Sequence, residues 1–99
     1  MNNWDNKFVE IKGQFMGRSK ERLGAIQQML NQLSSNPGDQ NLLREILKNF
    51  HWLAGSGGTY GFTEITEWGT YGEELCEYLL KLNAPVSESN LDKLRTALN

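Results

Sequence analysis

Residues 50–62 read FHWLAGSGGTYGF, from Phe50 to Phe62. The stretch holds the chain's one histidine, His51, followed by four of its ten glycines. On a helix, side chains three, four and seven positions apart share a face. From His51 those positions are Ala54, Gly55 and Gly58, so nothing larger than a methyl group stands on the next two turns. Leu43, Ile46, Leu47, Phe50, Leu53, Ala54 and Gly57 recur at helical spacing and form an apolar stripe. His51 falls about 80° from Leu43 on the helical wheel, on the shoulder of that stripe. The spacing therefore predicts a partly exposed imidazole beside a bare patch onto which another protein can lay its surface. Glycine within a helix is unfavourable, so this region gives up stability for something. A plainer alternative stays open at this point: Gly55, Gly57 and Gly58 end a helix, and His51 is a solvated residue near its C-terminus.

Three more apolar stripes flank this one. The first runs Trp4, Phe8, Ile11, Phe15, then Leu23, Ile26, Leu30 and Leu33. Gly13 and Gly17 sit inside it, each costing up to about 1 kcal/mol against alanine, so a bend or break is expected there. It stops at SSNPGD, where Pro37 cannot continue a helix and Asp39 is a good N-cap for the next. The third stripe follows Gly61 and reads Phe62, Ile65, Trp68, Gly69, Gly72, Leu75, Cys76, Leu79, Leu82. Small residues on its apolar face predict the close approach of a neighbouring helix. NAPVS ends it, and Ser87 or Ser89 caps a short last helix carrying Leu91, Leu94 and Leu98. No alternating strand pattern competes. The fold class expected is all-α: an antiparallel up-down four-helix bundle with a possible extra N-terminal helical segment.

At 99 residues the chain is one domain, 1–99, large enough to bury roughly 65% of its unfolded surface. A net charge of −2 with no basic run argues against nucleic acid as a main partner. No stretch has more than three consecutive apolar residues, so no membrane span is expected. The single cysteine, Cys76, excludes an internal disulfide and fits a reducing cytoplasm; it reads as a small core residue. The initial Met and short ends favour a free-standing protein. GSGGTYG lacks the lysine and Ser/Thr of a phosphate-binding P-loop and follows no strand. One histidine and one distant cysteine do not supply a metal site.

HWLAGSGGTYGF resembles the signature of histidine-containing phosphotransfer (HPt) domains, roughly H-x-[LI]-K-G-[SG]-x-x-x-x-G. His51, Leu53, Gly55, Ser56 and Gly61 match in register, and the GTYGF ending is similar to the phosphotransfer domain of chemotaxis histidine kinases. The resemblance implies an up-down bundle whose exposed His51 accepts a phosphoryl group from a receiver-domain aspartate, or from a kinase, and passes it on. It implies no cofactor on this chain; Mg²⁺ is expected on the partner receiver domain. One position departs from the signature. The family usually has lysine three residues after the histidine, and here it is Ala54. Arg44 and Lys48, seven and three residues before His51 on roughly the same side, are possible phosphate-supporting cations; as ordinary charges they are solvated.

Other residues read more plainly. Trp52 is expected to pack at the core or its rim, and Tyr60 and Phe62 to wedge the loop against the bundle. Glu73, Glu74 and Glu77 make an acidic edge on the third helix. The face of Glu73 and Glu77 either turns toward His51 or is solvated, and solvation is expected. Beside a purely structural helical bundle with a glycine-rich turn, two function classes result. One is a phosphoryl carrier, a monomer that meets a response-regulator receiver domain or a sensor histidine kinase and is not an enzyme by itself. The other is a non-phosphorylated binding module that docks the same partners as adaptor or inhibitor.

Overall fold

A proline that ends one helix and an aspartate that starts the next set the first division of the chain. The computed structural model describes the backbone of residues 3–98, and the side chains of Lys7 and residues 9–98. Four helices follow in order: α1 (Asn3–Ser35), α2 (Gln40–Tyr60), α3 (Thr63–Leu82) and α4 (Glu88–Thr96). No strand occurs among the described residues. Asp39 caps α2, its carboxylate accepting the Leu42 N–H at 3.0 Å. Ser87, not Ser89, caps α4 by accepting the Asn90 N–H at 3.2 Å. Each such cap satisfies a backbone donor that the first turn leaves without a partner.

Gly61 ends α2 in the left-handed region, φ 80°, and donates its N–H to the carbonyls of Gly57 and Gly58. Only Gly61 and Phe62 separate α2 from α3, a connection short enough to force an antiparallel hairpin. The glycines of the apolar face fix its register. A Cβ on Gly57 would stand 2.9 Å from Thr66 Oγ1, and one on Gly69 would stand 2.7 Å from the backbone N of Ala54. A Cβ on Gly72 would overlap the ring of Phe50. The expected close approach of a neighbouring helix is thus the α2–α3 seam.

The other helices complete the up-down arrangement. Arg22 on α1 donates to Asn49 Oδ1 on α2 at 3.2 Å, while Phe15 stacks on Trp52, Tyr60 and Phe62, so α1 and α2 run in opposite directions. Val86 N–H donates to the Pro37 carbonyl at 2.9 Å, tying the start of α4 to the α1–α2 turn. The core joins Ile26, Leu30 and Leu33 to Leu43, Ile46, Phe50 and Leu53, with Cys76, Leu79, Leu91 and Leu94 closing it. Each such aliphatic or aromatic side chain contributes roughly 1.5–3 kcal/mol when fully buried.

Three expectations need correction. Gly13 and Gly17 do not break α1, which is a single helix of 33 residues; both have open space around them, and their helix penalty of about 1 kcal/mol each is small against the packing farther along. There is accordingly no separate N-terminal segment among the described residues. Ile11 is 42% exposed, because α1 runs past the α2–α3 turn, where Phe15 is the first buried side chain of α1 among the described residues. That overhang accounts for a 55 Å long axis against 20 and 19 Å across. The side chains of Trp4 and Phe8 lie outside the described residues. Finally, Trp68 and Leu82 lie on the surface of α3, 40% and 50% exposed.

Candidate functional site

The helix that carries His51 runs through the glycines instead of ending at them: α2 continues to Tyr60. The alternative in which Gly55, Gly57 and Gly58 terminate the helix is therefore excluded, and the termination falls to Gly61. His51 stands well inside α2, with its side chain 72% exposed. Around it the glycines differ in kind. Gly57 faces α3 and is buried, whereas a Cβ on Gly55 would meet nothing within 4 Å. On Gly58 it would make only ordinary contact, 3.6 Å, with Thr66 Oγ1. Ala54 is half-buried, its backbone lying against Gly69.

A shallow, open groove of about 350 Å³ begins at the imidazole. It passes Gly55, Ser56 and Thr59 and is walled by Trp52 and Tyr60. Trp52 is half-buried, stacked on Phe15 at 5.7 Å between ring centres. The Arg22 guanidinium lies 4.8 Å from the centre of the Trp52 ring. Tyr60 and Phe62 also stack on Phe15, at 4.8 and 5.1 Å. The expected rim packing of Trp52 and the wedging of Tyr60 and Phe62 are both seen, and Phe15 is their common partner. Phe15 thus backs Trp52 and Tyr60, the two rings that wall the groove.

The other side of His51 holds a residue that the sequence allows as a neighbour of His51 but that is expected from it to be solvated. Glu73 Oε1 on α3 lies 3.0 Å from His51 Nδ1, and the Glu73 side chain is only 22% exposed. Glu73 is not a solvated edge charge. An ionised carboxylate accepts and cannot donate, so it favours the tautomer with the proton on Nδ1, which leaves the lone pair of the neutral ring on Nε2. The signal available in the sequence was the acidic edge itself; the missing information was the register of the α2–α3 hairpin. Glu77 and Glu74 are exposed. One turn inward, burial pushes the Cys76 thiol up from 9.0 to about 12, with smaller contributions from Glu73 and Glu77.

The two upstream cations are placed on the same side as His51 but have partners of their own. Lys48 Nζ lies 3.1 Å from Glu45 Oε1, and Arg44 donates to Asn41 Oδ1 at 2.8 Å. Both are exposed. Such surface contacts hold long side chains loosely, typically with less than about 1 kcal/mol. Among the described residues no group of three or more His, Cys, Asp or Glu side chains could hold a metal ion, and no helix is long and apolar enough to cross a membrane.

The site is thus a single exposed imidazole, its Nδ1 against the Glu73 carboxylate, on a face left bare by glycine. The family model described as Hpt domain matches residues 10–99. The chain belongs to the Hpt domain family. Among curated proteins, this Hpt domain is similar to the chemotaxis protein CheA of Halobacterium salinarum, strain ATCC 29341 / DSM 671 / R1, at 25% identity over 80 residues. The match covers 81% of this chain and 12% of that protein, so the Hpt domain spans only a small part of the relative's length. No solved structure matches.

Proposed function

We propose that this Hpt domain is a phosphoryl carrier in a two-component phosphorelay, taking a phosphoryl group on His51 from a receiver-domain aspartate or a kinase and passing it on. The observation that carries this reading is the pairing of His51 with Glu73 beside an unoccupied glycine face. Phosphoryl transfer asks mainly for in-line positioning and charge stabilisation. His51 supplies the nucleophile: the Nε2 lone pair attacks phosphorus, the bond to the donor oxygen breaks, and the proton stays on Nδ1. The phosphorylated ring is then cationic, and the Glu73 carboxylate at 3.0 Å offsets that charge as it develops. The bare face at Gly55 and Gly58 lets a partner active site come within bonding distance, and the partner brings its own aspartate and Mg²⁺. Lys48 and Arg44 are the nearest cations that could swing onto the phosphate from the same helix. A cytoplasmic location fits the lone thiol, Cys76.

A second reading rests on one position. Ala54 stands where the family signature has lysine, so an adaptor that docks a kinase or receiver without accepting phosphate would keep everything but that charge. Incubation with a phosphorylated receiver domain separates the two. The carrier reading expects acid-labile, alkali-stable label on this chain, absent in a folded His51→Gln variant. Label that persists in His51→Gln sinks it; a stable complex without label favours the adaptor.

A further inference from the structure

Four of the exposed large apolar side chains lie on α3: Trp68, Tyr71, Tyr78 and Leu82, between 40% and 55% exposed. With half-buried Leu75 they recur every three or four residues, a continuous stripe nearly four turns in length. At 100° per residue the stripe lies roughly 140–180° around α3 from Glu73, so it faces away from His51. It is uncovered because short α4 packs against α1 and leaves this flank of α3 without a neighbour. Trp68 and Tyr71 meet edge to face at 6.3 Å, which holds both rings upright.

Beside Trp68 an apolar cleft of about 180 Å³ runs down to Phe50 and Leu53, closed on its far side by Ala97 and Leu98 at the end of α4. Sites for small organic ligands are typically about 300–1,000 Å³, so this cleft is the size of one inserted side chain. The charge pattern says whose. Each exposed aromatic has a glutamate four residues before it: Glu64 before Trp68, Glu67 before Tyr71, Glu74 before Tyr78. All three carboxylates are exposed, and none is in an ion pair among the described residues. A second copy of this chain would set carboxylate against carboxylate along the seam, at a cost that like charges impose on any interface. We propose that this flank of α3 is a docking surface for an amphipathic helix of a partner protein, with lysine or arginine flanking its apolar stripe and one bulky apolar side chain seated in the cleft beside Trp68. Such a helix lays apolar anchors at i, i+3, i+4 and i+7 into a groove, and its cations answer the three carboxylates. It holds the partner while the His51 face stays free. The inference stands apart from phosphorylation of His51.

The test uses a synthetic amphipathic helical peptide of leucine and lysine, and the same peptide with glutamate for lysine, titrated into the isotope-labelled full chain and followed by amide NMR. Shifts are expected along residues 64–82 and at Leu98, with none at His51, Gly55 or Gly58, and only for the lysine peptide. The double variant Tyr71→Lys/Tyr78→Lys, both sites exposed and its helicity checked by circular dichroism, should weaken binding at least about tenfold, as loss of aromatic anchors does. Equal binding of both peptides, shifts on the His51 face, an unaffected double variant or no binding overturns the proposal. Sedimentation showing wild-type self-association that the double variant abolishes also overturns it, by making a second copy the occupant.

Discussion

Gly55 follows His51 by one turn of α2, Gly69 of α3 lies against neighbouring Ala54, and the two are glycines for opposite reasons. Gly69 belongs to the seam between α2 and α3, where a single added carbon would stand 2.7 Å from the backbone of Ala54. Gly55 belongs to the open face of α2, where an added carbon meets nothing within 4 Å. In the seam, the absent side chain is filled by the neighbouring helix, and the helix penalty of glycine is offset by packing. On the face nothing inside the molecule offsets it. Gly13 and Gly17 likewise stand in open space, so openness alone assigns no role. What sets Gly55 apart is the exposed His51 one turn away, and the proposed docking of a partner rests on that pairing. The same division holds for charge. Glu73, largely covered by the seam, is committed to His51 at 3.0 Å, while Glu74, next in sequence, faces solvent.

The seam should be the more fragile region. Gly69→Ala is expected to destabilise the fold by about 1–3 kcal/mol, because over-packing against backbone outweighs the gain in helix propensity. Thermal or denaturant unfolding measures it, and an unchanged or raised midpoint would mean that the helices are not in close contact there.

Much of this division was legible in the sequence, and its limits are specific. Apolar spacing with Pro37, Asp39 and Ser87 identified the helices, and the three- and four-residue offsets from His51 identified the bare face. What periodicity cannot supply is register between helices. His51 and Glu73 are 22 residues apart on different helices, and their meeting depends on Gly57, Gly69 and Gly72 setting how α2 slides along α3. Placing Trp68 on the apolar stripe with Ile65 and Leu75 misplaced it, since nothing in a single stripe says how far short α4 reaches. Treating Gly13 and Gly17 as breaks overweighted a local penalty that a long helix absorbs.

The next effect sharpens the role of Glu73 as a positioning residue. Glu73→Gln keeps an acceptor for Nδ1–H but removes the charge that balances a phosphorylated ring. A charge-assisted hydrogen bond contributes roughly 1.5–3 kcal/mol, less where solvent screens it. Transfer to His51 should therefore slow by about three- to thirtyfold. The nitrogen NMR signature of the ring should stay that of the Nδ1–H tautomer in Glu73→Gln and lose it in Glu73→Ala. Equal tautomer populations in all three proteins would remove Glu73 from the site. Ala54→Lys tests the missing family cation on the same scale and should change transfer rate or phosphohistidine lifetime by about three- to tenfold.

A pH-dependent effect reports on how dry the seam is. Cys76 follows Gly72 by one turn and is fully buried, with its thiol pushed up to about 12. A folded value above the unfolded one means that the protonated thiol is favoured in the fold. Its contribution is complete below about pH 9 and is lost as pH rises from there toward 12. Stability measured across that window should fall more steeply in wild type than in Cys76→Ala. Parallel curves would indicate that water reaches the seam.

The most direct measurement places leucine at the face glycine and reads stability and transfer on the same sample. Gly55→Leu puts a better helix former, by roughly 0.7 kcal/mol, into a site with room for it. The midpoint of unfolding should hold or rise, while transfer of label from a phosphorylated receiver to His51 should fall at least about tenfold, as expected when a bulky side chain obstructs docking. A folded Gly55→Leu protein that accepts phosphate at the wild-type rate would contradict the docking role of the bare face.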